Sequence, residues 1–283
     1  MTQEAINRRK MTAIMENYTE ALIEKNPGAL PLAADCRATY NGKDCPVGEN
    51  PLWKNTLIIK QRQTFIDPVS GEMVFFGVMS NEPREMNETF PVNVHVYSKQ
   101  YLTTIRIKIV KEKITEIEEL TIDERLRYFY ADSEEVRLPD LEFEITVPEE
   151  ERSTREELIE TVETYWDCAE KSQPAEVLKV HPDAQRYENG YRTTNHSNSF
   201  RGDFKHNKSF RWDVPNNSRR YPVVDPVRGL VVSSVFMVDG AGASRDGLGG
   251  ARVVEAFKIK DGAICHLLAF FPVLEGTDGW EKG

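Results

Sequence analysis

The segments Tyr18-Thr-Glu-Ala-Leu-Ile-Glu-Lys-Asn-Pro27 and Tyr165-Trp-Asp-Cys-Ala-Glu-Lys-Ser-Gln-Pro174 resemble each other, and both place a tyrosine nine residues before a proline. The similarity continues downstream, where an aspartate precedes an Asn-Gly pair by six residues at Asp35 and again at Asp183. Self-similarity in a fixed order is the sequence signature of a repeated structural unit. The sequence therefore predicts two copies of one domain.

Two further matches continue the similarity toward the end of each copy. Arg62 and Arg220 each stand five residues before the aspartate of Asp-Pro-Val-x-Gly. Ile114 and Ile264 each follow a Lys-Ile pair at the same spacing. We accordingly divide the chain into a first domain (1–120), a charged, acidic linker (121–153) and a second domain (154–283). Phe129, Tyr130, Leu141, Phe143 and Ile145 indicate that part of the linker packs against a domain rather than forming a free tether.

Each copy opens with a pattern that is typical of an amphipathic helix. Apolar residues recur at helical spacing within 11–22 and 158–169, and Thr154 with Glu157 forms a capping-box pattern before the second of these segments. A short second helix is expected after the proline, then a strand that ends at Asn-Gly, then an antiparallel meander with a hairpin at Asp-Pro-x-x-Gly. The predicted class is α+β.

Composition excludes several classes of protein. A chain of 283 residues with 40% apolar and 29% charged residues is typical of a globular protein, and its net charge of −10 argues against a phosphate-backbone binder. No secretory signal or membrane-length apolar run is seen, so we expect a cytoplasmic protein without nucleic-acid or membrane partners. Four scattered cysteines show no metal or disulfide spacing, and neither a metal nor a cofactor is expected.

Two stretches of the second copy carry a family resemblance: Tyr187-Glu-Asn-Gly-Tyr-Arg-Thr-Thr-Asn195 and Arg219-Arg-Tyr-Pro-Val-Val-Asp-Pro226. With the order of elements, they resemble the SnoaL-like, or nuclear transport factor 2-like, superfamily. The resemblance implies two tandem cones, each a curved antiparallel sheet wrapped around a long N-terminal helix, as in a cystatin-like α+β barrel. It also implies acid–base chemistry without a cofactor, as in the formaldehyde lyases that act on diarylpropane diols. The fold alone does not settle function.

A comparison of the copies selects candidate catalytic residues on one strand. Ala38 and Tyr40 of the first copy correspond to Arg186 and Glu188 of the second, so charge replaces an apolar or aromatic face. Buried charge is costly and is seldom kept without a partner or a use. An alternative register by one residue would leave Tyr187 inside and Glu188 in water.

The same comparison selects His266 in the last strand, where the first copy has Glu116. Imidazole can exchange a proton near neutrality, although a hydrogen-bonded core histidine would look the same in sequence. Arg220 is a candidate for holding an oxyanion, and its counterpart Arg62 equally suggests a structural ion pair, such as one with the turn aspartate or a helix carboxylate. The expected substrate-binding residues are His196, Arg186, Tyr191, Trp212, Phe236 and Phe270.

These observations lead to one functional hypothesis and one alternative. The hypothesis is a cofactor-independent lyase, dehydratase or isomerase that acts on a hydrophobic, hydroxylated aromatic molecule in the second cone. Glu188 would be the base and His266 or a tyrosine the acid, and Tyr187 is also a candidate catalytic residue. The first cone would be structural. The resemblance further implies that the two sheets face each other, as in dimers of the superfamily, to form an intrachain pseudo-dimer that could associate further. The alternative is a non-catalytic binding or scaffold protein.

Overall fold

The structure is a computed structural model that describes residues 3–81, 100–123, 131–133, 135–171, 177–194, 212–213, 218–239, 250–274 and 280. Its α-helices are α1 (Gln3–Glu24), α2 (Pro51–Asn55) and α3 (Arg155–Lys171). Three short 3₁₀ helices span Pro27–Ala29, Leu141–Glu144 and Glu149–Glu151. In the described part of the chain, no helix is long and apolar enough to cross a membrane.

Two sheets follow the same strand order. The first contains β1 (Leu32–Tyr40), β2 (Lys43–Asp44), β3 (Ile58–Asp67), β4 (Glu72–Ser80), β5 (Gln100–Val110) and β6 (Lys113–Asp123). The second contains β7 (Val180–Glu188), β8 (Tyr191–Arg192), β9 (Trp212–Asp213), β10 (Arg220–Asp225), β11 (Leu230–Asp239), β12 (Gly250–Lys260), β13 (Ala263–Phe270) and β14 (Val273–Leu274). The orders β3-β4-β5-β6-β1-β2 and β10-β11-β12-β13-β7-β8 match strand for strand, with β9 and β14 added in the second half. The predicted repeat is confirmed.

The sheets are mixed rather than wholly antiparallel. β1 pairs in parallel with β6, and β7 pairs in parallel with β13, while the remaining pairs are antiparallel. Each Asn-Gly turn ends the first strand of its copy with two residues of positive φ, and a short return strand then pairs back antiparallel. After this hairpin, the chain crosses to the opposite edge of the sheet, where the first strand of the antiparallel meander lies.

Each long helix packs against one face of its own sheet. In the first half, Met15, Tyr18 and Leu22 of α1 pack on Phe75 and Ile117. In the second half, Val162 and Trp166 of α3 pack on Val235, Phe257 and Leu267 in the same way. Apolar side chains at helical spacing and at strand alternation thus close two separate cores. The chain is two cones.

The outer faces of the two sheets pack against each other. One apolar cluster joins residues of both halves, and Phe76 lies 5.1 Å from Phe270 between ring centroids. Phe143, which is fully buried, adds the segment between the halves to this cluster. The chain therefore forms the face-to-face intrachain pair that the sequence predicts.

Reciprocal ion pairs tie each helix to the hairpin of the other half. Arg8 of α1 contacts Asp225 at 3.0 Å, and Arg155 of α3 contacts Asp67 at 2.6 Å. Each arginine also donates to a carbonyl oxygen in its own half, Arg8 to Ile66 and Arg155 to Val224. The two aspartates are the duplicated hairpin residues, so the pairs follow the repeat.

The segment between the halves, which we call the connector (residues 131–152), is anchored on both sides. Gln63 of β3 exchanges hydrogen bonds with the backbone of Asp140 at 3.0 and 3.1 Å, and the Asp140 carboxylate contacts His266 of β13. Burial of Phe143 agrees with the expected packing. Leu141 and Ile145 are 69% and 54% exposed, contrary to expectation, and Phe129 and Tyr130 lie outside the described residues.

Candidate functional sites

Arg186 and Glu188 project into the second cone. Along β7, Ala184, Arg186 and Glu188 are buried, and Ala184 belongs to the cluster around α3. Tyr187 has the opposite orientation and packs in the cluster between the sheets. The register with Arg186 and Glu188 inside is therefore the observed one, and a role for Tyr187 inside the cone is wrong.

These two side chains belong to a buried polar cluster. Arg186 Nε lies 3.4 Å from Glu188 Oε1 and donates to Thr193 Oγ1 at 3.0 Å. On the helix side, the Tyr165 hydroxyl donates to Glu255 Oε1 at 3.4 Å, and Arg186 also interacts electrostatically with both of these residues. One guanidinium thus lies among two carboxylates and a phenol.

Burial and charge set the protonation of this cluster. Burial, and then the charge of Glu255, raise the pKa of Tyr165 well above its ordinary range, so its hydroxyl keeps its proton. Burial opposes the charge of Arg186, but Glu188, Tyr165 and Glu255 outweigh it and raise the pKa of the guanidinium. The cluster therefore offers a fixed cation and a hydroxyl donor beside carboxylates.

The first cone contains a carboxyl at the corresponding place, supplied by the opposite strand. Tyr18, the counterpart of Tyr165, donates to Glu119 at 2.6 Å. Glu119 of β6 is paired across the strands with Ile105, whereas in the second cone Glu255 of β12 is paired with Ala269. The helix tyrosine thus meets a carboxyl at the same strand pair in both cones.

Glu119 is held by neutral donors. Trp53 Nε1 donates to it at 2.8 Å and Asn50 Nδ2 at 2.6 Å, in addition to Tyr18. Burial raises its pKa, and these three hydrogen bonds only partly oppose the shift. The first cone, which the sequence indicated as structural, therefore also has a buried polar centre.

His266 lies on the other face of the sheet from Glu188. It is opposite Gln185 in the register of β13 and β7, while Ala269 is opposite Glu188. Because successive side chains in a strand alternate between faces, His266 and Glu188 cannot share one cavity. The proposed acid–base pair of these two residues is therefore wrong. His266 Nε2 instead contacts Asp140 Oδ2 at 2.6 Å, beneath the connector.

Arg220 also lies outside the cone, at the seam between the sheets. Its guanidinium makes two hydrogen bonds to Glu118 of the first half, at 2.8 and 3.0 Å. A β-bulge between Arg220 and Val223 reverses its face, so the neighbouring Arg219 contacts the helix carboxylates Glu163 and Asp167 instead. An oxyanion-holding role for Arg220 inside the cone is wrong. Arg220 does form a structural ion pair, but its partner is Glu118 of the other half, and not the turn aspartate or a helix carboxylate as expected.

The remaining predicted binding residues are dispersed. Phe236 and Phe270 belong to the cluster between the sheets and are not cone walls. Tyr191 is 38% exposed on the hairpin. Trp212 is in β9, paired with β11, but its side chain and the whole of His196 lie outside the described residues.

Sequence reasoning missed Tyr165 and Glu255. Tyr165 was assigned only to the apolar face of the helix. Glu255 has the same strand parity as Val253 and Phe257, both in the core cluster, so it could have been recognised as a charge on a buried face. The contact of Asp140 with His266 could not be recognised from the sequence, because the two residues are 126 positions apart along the chain.

The fold and these centres define a class of protein: a tandem pair of α+β cones with buried polar groups beneath each helix. The chain belongs to the family described as "Domain of unknown function (DUF8021)", whose model matches residues 4–121 and 151–271. The two matched segments fall one in each half.

Comparisons with individual proteins found structures of low sequence identity to this chain. No curated protein matches the chain. Among solved structures, a putative polyketide cyclase from Silicibacter sp. TM1040 is 10% identical, with a TM-score of 0.31, over 40% of this chain and 90% of that one. A de novo designed protein with a curved β-sheet is 13% identical, with a TM-score of 0.29, over 44% of this chain and 90% of that one.

Proposed function

We propose that the chain is a cofactor-independent acid–base enzyme, of the lyase, dehydratase or isomerase type, with its site at Arg186, Glu188, Tyr165 and Glu255 of the second cone. The observation that carries the proposal is a buried charged cluster on the face of the second sheet that α3 covers. The corresponding carboxyl of the first cone, Glu119, is held by neutral donors, so a buried cation such as Arg186 is not needed to fold this kind of sheet. Dehydration coupled to formaldehyde loss is one version of this chemistry.

Each side chain has a defined role in this proposal. Glu188 removes a proton from the substrate and passes it to the departing oxygen, while the Tyr165 hydroxyl, which keeps its own proton, donates a hydrogen bond to the oxygen that develops negative charge. Arg186 stabilises the negative charge that develops, because a guanidinium stays charged in a buried site. The apolar residues around α3 suit a hydrophobic, aromatic substrate.

Replacement of Glu188 tests the proposal. Aromatic diols and hydroxyketones are screened for a change in ultraviolet absorbance, and kcat/KM is then measured for the variants. We expect Glu188→Gln to lower kcat/KM by about 10²–10⁴-fold, the usual contribution of a positioned base. Tyr40→Phe, at the matched first-cone position, should leave turnover unchanged. Full activity of Glu188→Gln, with folding verified by circular dichroism, would contradict the assignment.

A second candidate function is non-catalytic binding of a small molecule. It is favoured by one observation, that Arg186 and Glu188 already pair with each other. Saturable binding of an aromatic diol without product formation, and loss of that binding in Arg186→Met, would support this candidate over the enzyme.

A further inference from the structure

A separate cavity lies on the outer face of the second sheet, under the connector. Its volume is about 320 Å³, which is within the range of small-ligand sites. The sheet side is formed by Gln185, Tyr187, His266 and Leu268, and the connector supplies the opposite side. Because this face is turned away from Arg186 and Glu188, the site does not depend on the proposed function.

The walls suit a flat ring. The Tyr187 and His266 rings are 5.6 Å apart between centroids, and Phe143 makes an edge-to-face contact with the His266 ring at 5.2 Å. Asp140 fixes the imidazole through its contact with Nε2. Leu268 and Pro139 complete the apolar lining. Rings that are fixed by such contacts offer a surface on which a ligand can stack. They lose little further side-chain entropy when the ligand binds.

The charges around the cavity favour a cation. Three carboxylates line it, those of Glu135, Asp140 and Glu142, against one guanidinium, that of Arg137. Arg137 lies 3.8 Å from Glu135, and Asp140 is engaged by His266. Glu142 makes no ion pair within 4.0 Å in the described part of the chain, and Lys258 interacts with it only as a more distant charge. The carboxylates outnumber the cation, and an excess of negative charge in a cleft attracts a cation.

A glycine keeps the connector in this position. Asp132 donates its amide to the carbonyl oxygen of Asn189, and a Cβ at Gly190 would lie 2.0 Å from the Asp132 carbonyl oxygen. The hairpin and the connector are therefore in direct contact at one end of the cavity. A side chain at Gly190 would displace the connector that closes it.

We propose that this cavity binds a small aromatic cation, with its ring against Tyr187 and His266 and its ammonium group toward Glu142. Tryptamine is the probe, and indole-3-propionate, with the same ring and the opposite charge, is its control. The binding efficiency typical of drug-sized ligands gives a Kd of about 2 mM for tryptamine, which has about twelve non-hydrogen atoms.

The test uses calorimetry and NMR on the full chain. Tryptamine should bind at least about tenfold more tightly than indole-3-propionate, and Glu142→Lys should weaken tryptamine about tenfold, since a rim charge is reversed. Glu149→Lys, an equal charge change on the connector outside the cavity lining, should not weaken it. Tryptamine should also shift the imidazole resonances of His266, assigned with His266→Gln, and leave those of the exposed His181 in place.

Each opposite result overturns the proposal. Equal binding of the two indoles would show that charge does not select the ligand. Equal weakening by Glu142→Lys and Glu149→Lys would show only a general charge effect. Absence of both heat and a His266 shift at tryptamine concentrations about tenfold above the expected Kd would show that the cavity does not bind the probe.

Discussion

Two neighbouring glutamates of β6 show how one residue step changes the chemistry of a side chain. Glu118 faces the second half and meets Arg106 and Arg220, while Glu119 faces the first cone and meets only neutral donors. Burial opposes ionisation of both. The charges of Arg220 and Arg106 outweigh it for Glu118 and lower its pKa to about 2, whereas the pKa of Glu119 is raised.

The Glu118 shift predicts how stability depends on pH. Because its folded pKa is below the ordinary value of 4.5, its stabilising contribution is present above about pH 4.5 and is lost as the pH falls toward about 2. The shift corresponds to roughly 3 kcal/mol. We expect Glu118→Gln to lower the free energy of unfolding at pH 7 and to flatten its decline between these pH values, measured by urea denaturation.

The control for this experiment is Glu150→Gln, which removes an exposed carboxyl of the connector. It should retain the decline seen in the wild type. If Glu118→Gln and the wild type lose stability in parallel between about pH 4.5 and 2, the ion cluster at the seam does not contribute in the way its geometry indicates.

At the scale of elements, the buried carboxyl belongs to the same pair of strands in both cones, although it lies on a different strand of that pair in each. Glu119 on β6 and Glu255 on β12 reach the helix tyrosine from directly opposed positions of equivalent strand pairs. Opposed side chains lie within about 4.5–5.5 Å, so either strand can supply the group. Aligning the copies residue by residue pairs Glu119 with Ala269 and hides this equivalence.

Moving the acid across the first strand pair tests this equivalence. Glu119→Ala leaves buried donors on Tyr18, Trp53 and Asn50 without their acceptor, at a cost of about 1–3 kcal/mol per group. Ile105→Glu alone places a second carboxyl beside the first. We expect the double variant Ile105→Glu/Glu119→Ala to be more stable than either single variant, as measured by a double-mutant cycle in urea. Additive losses would show that the two positions are not interchangeable.

The sequence predicted the elements better than the orientation of the site residues. Helical spacing located α1 and α3, and the Asn-Gly and Asp-Pro turns located the hairpins, because these patterns are local. It could not predict the bulge after Arg220, which reverses the face of that side chain, or the contact of His266 with the connector. Both depend on pairing partners far along the chain.

At the scale of the whole molecule, the halves share a core. The cluster between the sheets buries Phe76, Phe270 and Val232 among others, and each half would expose this apolar face if it were separated. Large exposed apolar patches cause protein chains to associate. The linker region assigned from sequence is also part of this core, since β6 runs on to Asp123 and Phe143 is buried.

Truncation tests the shared core. A chain of residues 150–283 should fold poorly, aggregate or self-associate, because it lacks the first sheet that covers Val232 and Phe270. Sedimentation velocity gives the measurement, with the full chain as reference. A monodisperse, folded monomer of residues 150–283 would contradict the claim that the halves need each other.

The reciprocal contacts of Arg8 with Asp225 and Arg155 with Asp67 have an evolutionary consequence. Two identical single-cone chains related by a two-fold axis would make this one contact twice, and a substitution in their common gene would alter both at once. Fusion into one reading frame releases that constraint, since each copy of the contact is now encoded separately. The acid on β6 in one cone and on β12 in the other is a difference that a single gene for two identical subunits could not encode.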